Sequence, residues 1–228
     1  MKMKRSEKLG MLTGLVVGVL LLLISVFMIF QTTCKVWGAE KPANATQQGI
    51  DVSSHQGKID WEQVKNSALA DYAIIRCGYG VNQTDKDDKY WDYNSSECER
   101  LGIPYGTYLY SGADTTAKAK SEAEHVVRLL QGKNLTYPIY YDMEADMLNQ
   151  LSSTQIGNIA KTFLNTMESY GYKNVAVYSN KYLFETKLTA SVFSDYPKWI
   201  AQHSNKCTYR GSYHTVSYTH LTLPTICS

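Results

Sequence analysis

From residue 49 onward the chain alternates short apolar runs with longer amphipathic stretches. The runs 49–52, 72–77, 103–110, 137–142, 174–178 and 199–202 are short and rich in Val, Ile and Tyr, which predicts strands. Between them, 59–69, 90–101, 115–130 and 152–170 carry apolar residues at helical spacing. The longest places Ile156, Ile159, Ala160, Phe163, Leu164 and Met167 on one face and stops at Gly171, where a left-handed cap suits glycine. Asp60 opens the first helix, Gly78-Tyr79-Gly80 ends the second strand, and Gly102 closes the second helix. Strand–helix alternation at this spacing predicts a parallel sheet, open or closed into a barrel. No GxGxxG or Walker loop follows any strand, so the phosphate-cradling loops of nucleotide-binding sheets are absent from the pattern.

The first 47 residues follow a different plan. Residues 11–30 form a run of twenty with no charge, and at about 1.5 Å per residue it spans the roughly 30 Å of a bilayer's hydrocarbon core. Lys2, Lys4, Arg5 and Lys8 precede it against the single acid Glu7. That asymmetry predicts a cytoplasmic basic tail (1–10), a single-pass signal anchor (11–30) and an exported remainder. The alternative is a secreted protein with a cleaved signal peptide, but a signal h-region is typically about 7–15 residues. Residues 31–47 read as a polar linker, and the globular domain is expected over 48–215.

Charge removes one class of function. The chain has 23 basic and 21 acidic residues; without the N-terminal tail, nineteen face twenty, a net −1. A nucleic-acid binder would want a basic face, so none is expected as partner. The five cysteines make neither CxxC pairs nor a zinc spacing, so no metal or cofactor is expected. Cys77 and Cys98 are either a disulfide or two buried thiols. Eighteen tyrosines and four tryptophans suit sugar stacking and ordinary cores alike.

The sharpest chemical feature is Tyr137-Pro-Ile-Tyr-Tyr-Asp-Met-Glu144. Side chains alternate faces on a strand, so Asp142 and Glu144 point the same way, with Cα atoms roughly 6.5–7 Å apart. Two carboxylates that close resist joint ionisation, which keeps a general acid protonated near neutral pH. Both lie at the carboxyl end of a strand, where α/β enzymes build their sites, and Asp51 should meet them there. A lone D-x-E also serves simply as a turn and helix cap.

The ordered segments around that pair resemble the family 25 glycoside hydrolases, the Chalaropsis-type lysozymes. They include Gly49-Ile-Asp-Val-Ser-Ser-His-Gln56, Trp61, Ile75-Arg-Cys-Gly-Tyr-Gly80, Asn94, Gly106-Thr-Tyr-Leu-Tyr-Ser111, Glu122-Ala123, Pro138 to Glu144, Val177-Tyr-Ser-Asn180 and Trp199-Ile-Ala-Gln202. The resemblance implies an irregular (β/α) TIM-like barrel that cuts the β-1,4 bond between N-acetylmuramic acid and N-acetylglucosamine in peptidoglycan, and a monomer is expected. By the same resemblance Glu144 is the general acid, Asp142 the assisting carboxylate and Asp51 an ordering aspartate. Tyr79, Tyr108, Tyr178, Trp199 and Gln202 match positions lining the sugar groove.

Two departures stand out. His203 occupies a position where the family has tyrosine, and nothing after Ser204 matches the last strands or the fourth acid. Residues 216–225 (VSYTHLTLPT) look like translated sequencing-adaptor DNA, which implies that 216–228 is an artefactual tail and that the barrel is incomplete after its sixth strand. The rival reading of another class is a non-catalytic glycan-binding domain. It would keep the aromatics but has no need of Asp51, Asp142 and Glu144 together.

Overall fold

The strands form in chain order and every one of them pairs in parallel with the next. The structure, a computed structural model, describes residues 46–68, 70–202, 207–213 and 215–218. The strands are β1 (Gly49–Val52), β2 (Tyr72–Tyr79), β3 (Tyr105–Tyr110), β4 (Ile139–Asp142), β5 (Val175–Asn180), β6 (Lys198–Gln202) and β7 (Thr215–Tyr218). The helices are α1 (Trp61–Ser67), α2 (Trp91–Leu101), α3 (Thr116–Leu129), α4 (Ser153–Ser169), α5 (Lys181–Thr186) and α6 (Val192–Asp195). This is the mixed α/β plan that the alternation predicts.

Helix ends follow the capping residues. Asp60 accepts from the Gln63 N–H at 3.0 Å ahead of α1, and Ser152 with Gln155 makes a capping box ahead of α4, leaving fewer orphan donors in the first turn. The last two helices lie in the stretch 179–198, where no periodic pattern announces them; each spans two turns or fewer.

The sheet curls. In a flat sheet, β3 and β6 would stand roughly 14 Å apart, three inter-strand spacings. Yet the Tyr108 and Trp199 rings meet edge-on with centroids 6.3 Å apart. Trp199 also contacts Tyr140 at 5.1 Å and Tyr178 at 4.5 Å. Ile74, Tyr140, Ala176 and Trp199 thus build an inner cluster with Tyr72, Tyr108, Tyr137 and Tyr178 packed on it. On the outer face Ile75, Leu109, Ile139, Tyr141, Val177 and Ile200 are buried, alternating with the inner set as strand geometry requires. Tyr141 stacks on Phe163 of α4, with centroids 3.9 Å apart.

The amino-terminal end of the sheet is plugged by the stacked rings of Tyr72 and Tyr137, 4.2 Å apart. Gly49 and Gly106 make room for them: a Cβ at Gly49 would land on the Tyr72 ring, and one at Gly106 would sit 2.8 Å from Tyr137 Cβ.

One expectation changes, and one open alternative closes. The sheet does not stop at β6: Thr215–Tyr218 adds a seventh parallel strand in register from Trp199↔Thr215 to Gln202↔Tyr218. An open strand edge offers a row of unpaired N–H and C=O groups, and Thr-Val-Ser-Tyr suits extended backbone, so the segment pairs despite its lack of pattern. Among the described residues no pairing joins β7 to β1, and the seven strands form a curled, barrel-like wall. Cys77 and Cys98 are buried free thiols, and burial pushes both up to about 12. The expected span 11–30, His203 and the tail beyond 218 lie outside the described residues. Among the described residues no helix is long and apolar enough to cross a membrane.

Candidate active site

The inner face reads as layers. Asp51 pairs in register with Ile74, which pairs with Gly106. Arg76 pairs with Tyr108, Tyr108 with Tyr140, and Tyr140 with Ala176. Above these, toward the carboxyl end, Tyr110, Asp142, Tyr178 and Trp199 run side by side across four strands. Asp142 therefore sits one layer above the rings of Tyr108 and Tyr140.

Asp142 is 3% exposed. Burial lifts its carboxyl well above the ordinary value, the Glu144 charge adds to this, Arg76 opposes it and Asp51 adds a little more. Its Oδ1 has no hydrogen-bond partner, a costly state for a buried carboxylate oxygen. Glu144 lies two residues beyond the end of β4 and is half-buried. The backbone before it is fixed to β5: the Met143 N–H donates to Tyr178 O at 2.9 Å, and the Ser179 hydroxyl donates to Met143 O at 2.6 Å.

Asp51 is exposed, yet the protein around it displaces enough water to raise its carboxyl. Its charge reaches Asp142, Tyr108 and Tyr178. Tyr108 is raised by burial first, then by Asp51 and Asp142, and a hydrogen bond with the Ser53 side chain works the other way. Tyr178 is raised by burial and then by Glu144, Asp142 and Asp51. The structure thus brings Asp51, Asp142, Glu144, Tyr108, Tyr178 and Trp199 together.

Tyr79 and Gln202 stand apart from that group. Tyr79 is 40% exposed at the rim, its hydroxyl reaching Asp85 O at 3.4 Å and its ring lying under Lys86 Nζ at 5.1 Å. A register shift between Arg76 and Gly78 aligns it with Tyr110; such bulges re-aim side chains near sites. Gln202 engages Thr208, accepting from its N–H at 2.8 Å and donating to its hydroxyl at 3.1 Å.

Sequence reasoning passed over Arg76 and Tyr110. Tyr110 is 36% exposed beside Asp142, and the charges of Asp142 and Glu144, after burial, raise its hydroxyl. Both were visible as inner-face parity: Arg76 follows Tyr72 and Ile74, and Tyr110 follows Tyr108. Behind the site, the fully buried Glu122 accepts from the Tyr141 hydroxyl at 2.7 Å, the Ser111 hydroxyl at 2.9 Å and the Gly112 N–H at 2.8 Å. This fixes the loop after β3, whose Ser111 N–H donates to Asp142 O at 2.9 Å. Among the described residues no group of His, Cys, Asp and Glu is placed to hold a metal ion.

Buried and half-buried carboxyl groups beside aromatic rings at the carboxyl end of a curled parallel sheet define a barrel-like α/β protein. The profile described as "Glycosyl hydrolases family 25" matches residues 50–220, and the chain belongs to that family. It is 28% identical over 156 residues to the autolytic lysozyme of Clostridium acetobutylicum, covering 68% of this chain and 45% of that one. It is 26% identical over 166 residues to YegX of Escherichia coli K12, covering 71% and 58%. The chain thus spans about half the length of these relatives. Among solved structures, the modular autolysin LytC of Streptococcus pneumoniae superposes with TM-score 0.67 at 34% identity, over 74% of this chain and 40% of LytC. A family 25 glycosyl hydrolase from Bacillus anthracis shares the fold at TM-score 0.68 and 19% identity, over 79% and 82%.

Proposed function

We propose that this chain is an exported muramidase that hydrolyses the β-1,4 bond between N-acetylmuramic acid and N-acetylglucosamine in peptidoglycan. The observation that carries the reading is the orphaned Asp142 Oδ1 within the Asp51–Asp142–Glu144 cluster. A buried acceptor without a donor gains from an N–H, and the acetamido group of a bound sugar would supply one as the site rearranges around it. LytC, which resembles this chain, has been solved with a synthetic peptidoglycan ligand.

In this mechanism the Asp142–Glu144 pair holds one proton near neutral pH, because burial and mutual repulsion disfavour two charges. Glu144 passes that proton to the glycosidic oxygen as the bond to C1 breaks. Asp142, then ionised, accepts from the acetamido N–H and stabilises the positive charge that develops at C1, and Asp51 orders the pair. Tyr108 lies beneath the acids, Tyr178 and Trp199 flank Asp142, and Tyr79 and Tyr110 stand partly exposed at the rim. The anchor over 11–30 would hold the domain outside the membrane, facing the wall.

Replacing Glu144 by Gln tests the assignment, because the amide keeps the shape and cannot donate the acid proton. Release of soluble glycan should fall by about 10²–10⁴ with an unchanged circular dichroism spectrum. Activity within a few-fold of the parent would remove Glu144 from this role.

A further inference from the structure

Arg76 is the charged side chain that β2 contributes within the otherwise apolar run Tyr72-Ala-Ile-Ile-Arg-Cys77. It is held from behind: Nε donates to Asp88 Oδ2 at 2.8 Å and Nη2 donates to the Ser54 hydroxyl at 2.8 Å. The Asp88 side chain is wholly buried, and it also accepts from the N–H groups of Ser54 at 2.9 Å and Tyr90 at 3.0 Å. The Asp88 N–H donates to Cys77 O at the β2 bulge at 2.8 Å. The adjacent Asp87 is gripped by Arg128 at 2.6 Å and 2.9 Å and by His125 at 2.7 Å, both from α3. The clamp joins the end of β2, the turn after β1 and the loop into α2. A partly buried ion pair recovers little more than its own desolvation, so stability alone is a weak reason for it.

We propose that Arg76 is a positioning residue of this site: clamped by Asp88 and Ser54, it presents a fixed positive charge to the Asp51–Asp142–Glu144 cluster and holds the turn that carries Ser53 against Tyr108. The catalytic consequence rests on the muramidase reading; the charge coupling does not. The groups facing Asp142 are Asp51 from β1, Arg76 from β2, Tyr108 and Tyr110 from β3, Glu144 beyond its own strand and Tyr178 from β5. Arg76 is the cation of that set. It works against burial and the two other acids. Removing the guanidinium favours the protonated cluster, so both limbs of a pH–rate profile move to higher pH. A residue that served only to hold the fold would lower the rate equally at every pH.

Arg76→Gln alone strands the buried charge of Asp88, so the test pairs it with Asp88→Asn and adds Arg76→Lys, which keeps the charge. Carboxyl carbon-13 NMR of Asp142, assigned with Asp142→Asn, follows its titration without any substrate. Its midpoint should move to higher pH in the double variant and stay in place in Arg76→Lys. Solubilisation of peptidoglycan by the double variant should lose about tenfold more rate near pH 5 than near pH 7.5. An unmoved Asp142 midpoint in the folded double variant overturns the proposal, as does a loss of rate uniform across pH. A parent protein that cleaves no glycan while the midpoint still moves defeats the muramidase reading and supports the coupling.

Discussion

Asp142→Asn removes a buried carboxyl whose ionisation its surroundings oppose, while keeping its shape. The parent carboxyl is 3% exposed, has one oxygen without a partner and is raised by burial, Glu144 and Asp51 against the single opposing charge of Arg76. A carboxyl raised on folding contributes its full stability only below the unfolded value, here 3.8, and that contribution is lost as pH rises through the folded value. Between the unfolded and the folded value the parent therefore loses about 1.4 kcal/mol for each unit of pH, and the neutral variant does not. For a domain of this size each kcal/mol is worth about 2–4 °C in Tm. Melting both proteins by circular dichroism from about pH 4 to pH 8 should show the variant several degrees more stable at the upper end, with the gap closing toward pH 4. Equal melting at neutral pH, or a gap of constant size, would refute the claim that this carboxyl is held against its surroundings.

Other outcomes follow from the packing and the sequence. Gly49→Ala should destabilise by about 1–3 kcal/mol in urea unfolding, because the new methyl meets the Tyr72 ring and that ring is pinned by Tyr137; an unchanged midpoint would mean the plug yields freely. Trp199→Ala, which empties the contact of three tyrosines, should cost about 3–5 kcal/mol, and a loss below 1 kcal/mol would contradict the inner cluster. Protease added to intact cells should remove the domain if 11–30 anchors it with the basic tail inside, and full protection would reject that topology.

The strands and main helices were legible because period and capping agree with the final packing, as Ser152 with Gln155 shows for α4. The inner-face parity of Asp142 and its alignment with Tyr178 and Trp199 also follow from alternation once the strands are placed. Three things escaped. The bulge at Cys77 changes parity within one strand, so Tyr79 lands beside Tyr110 rather than over the acids. Arg76 reads as an isolated polar residue until Asp88, far along the chain, is seen behind it. The strand Thr215–Tyr218 owes its place to the open edge of β6 and not to any pattern of its own. Each depends on partners distant in sequence.

The most direct test is the chemistry of the new reducing end. Purified peptidoglycan digested with this protein, reduced with borohydride and hydrolysed, should yield the alditol of N-acetylmuramic acid, and Glu144→Gln should abolish it. Appearance of the N-acetylglucosamine alditol instead, or of neither, would contradict the account.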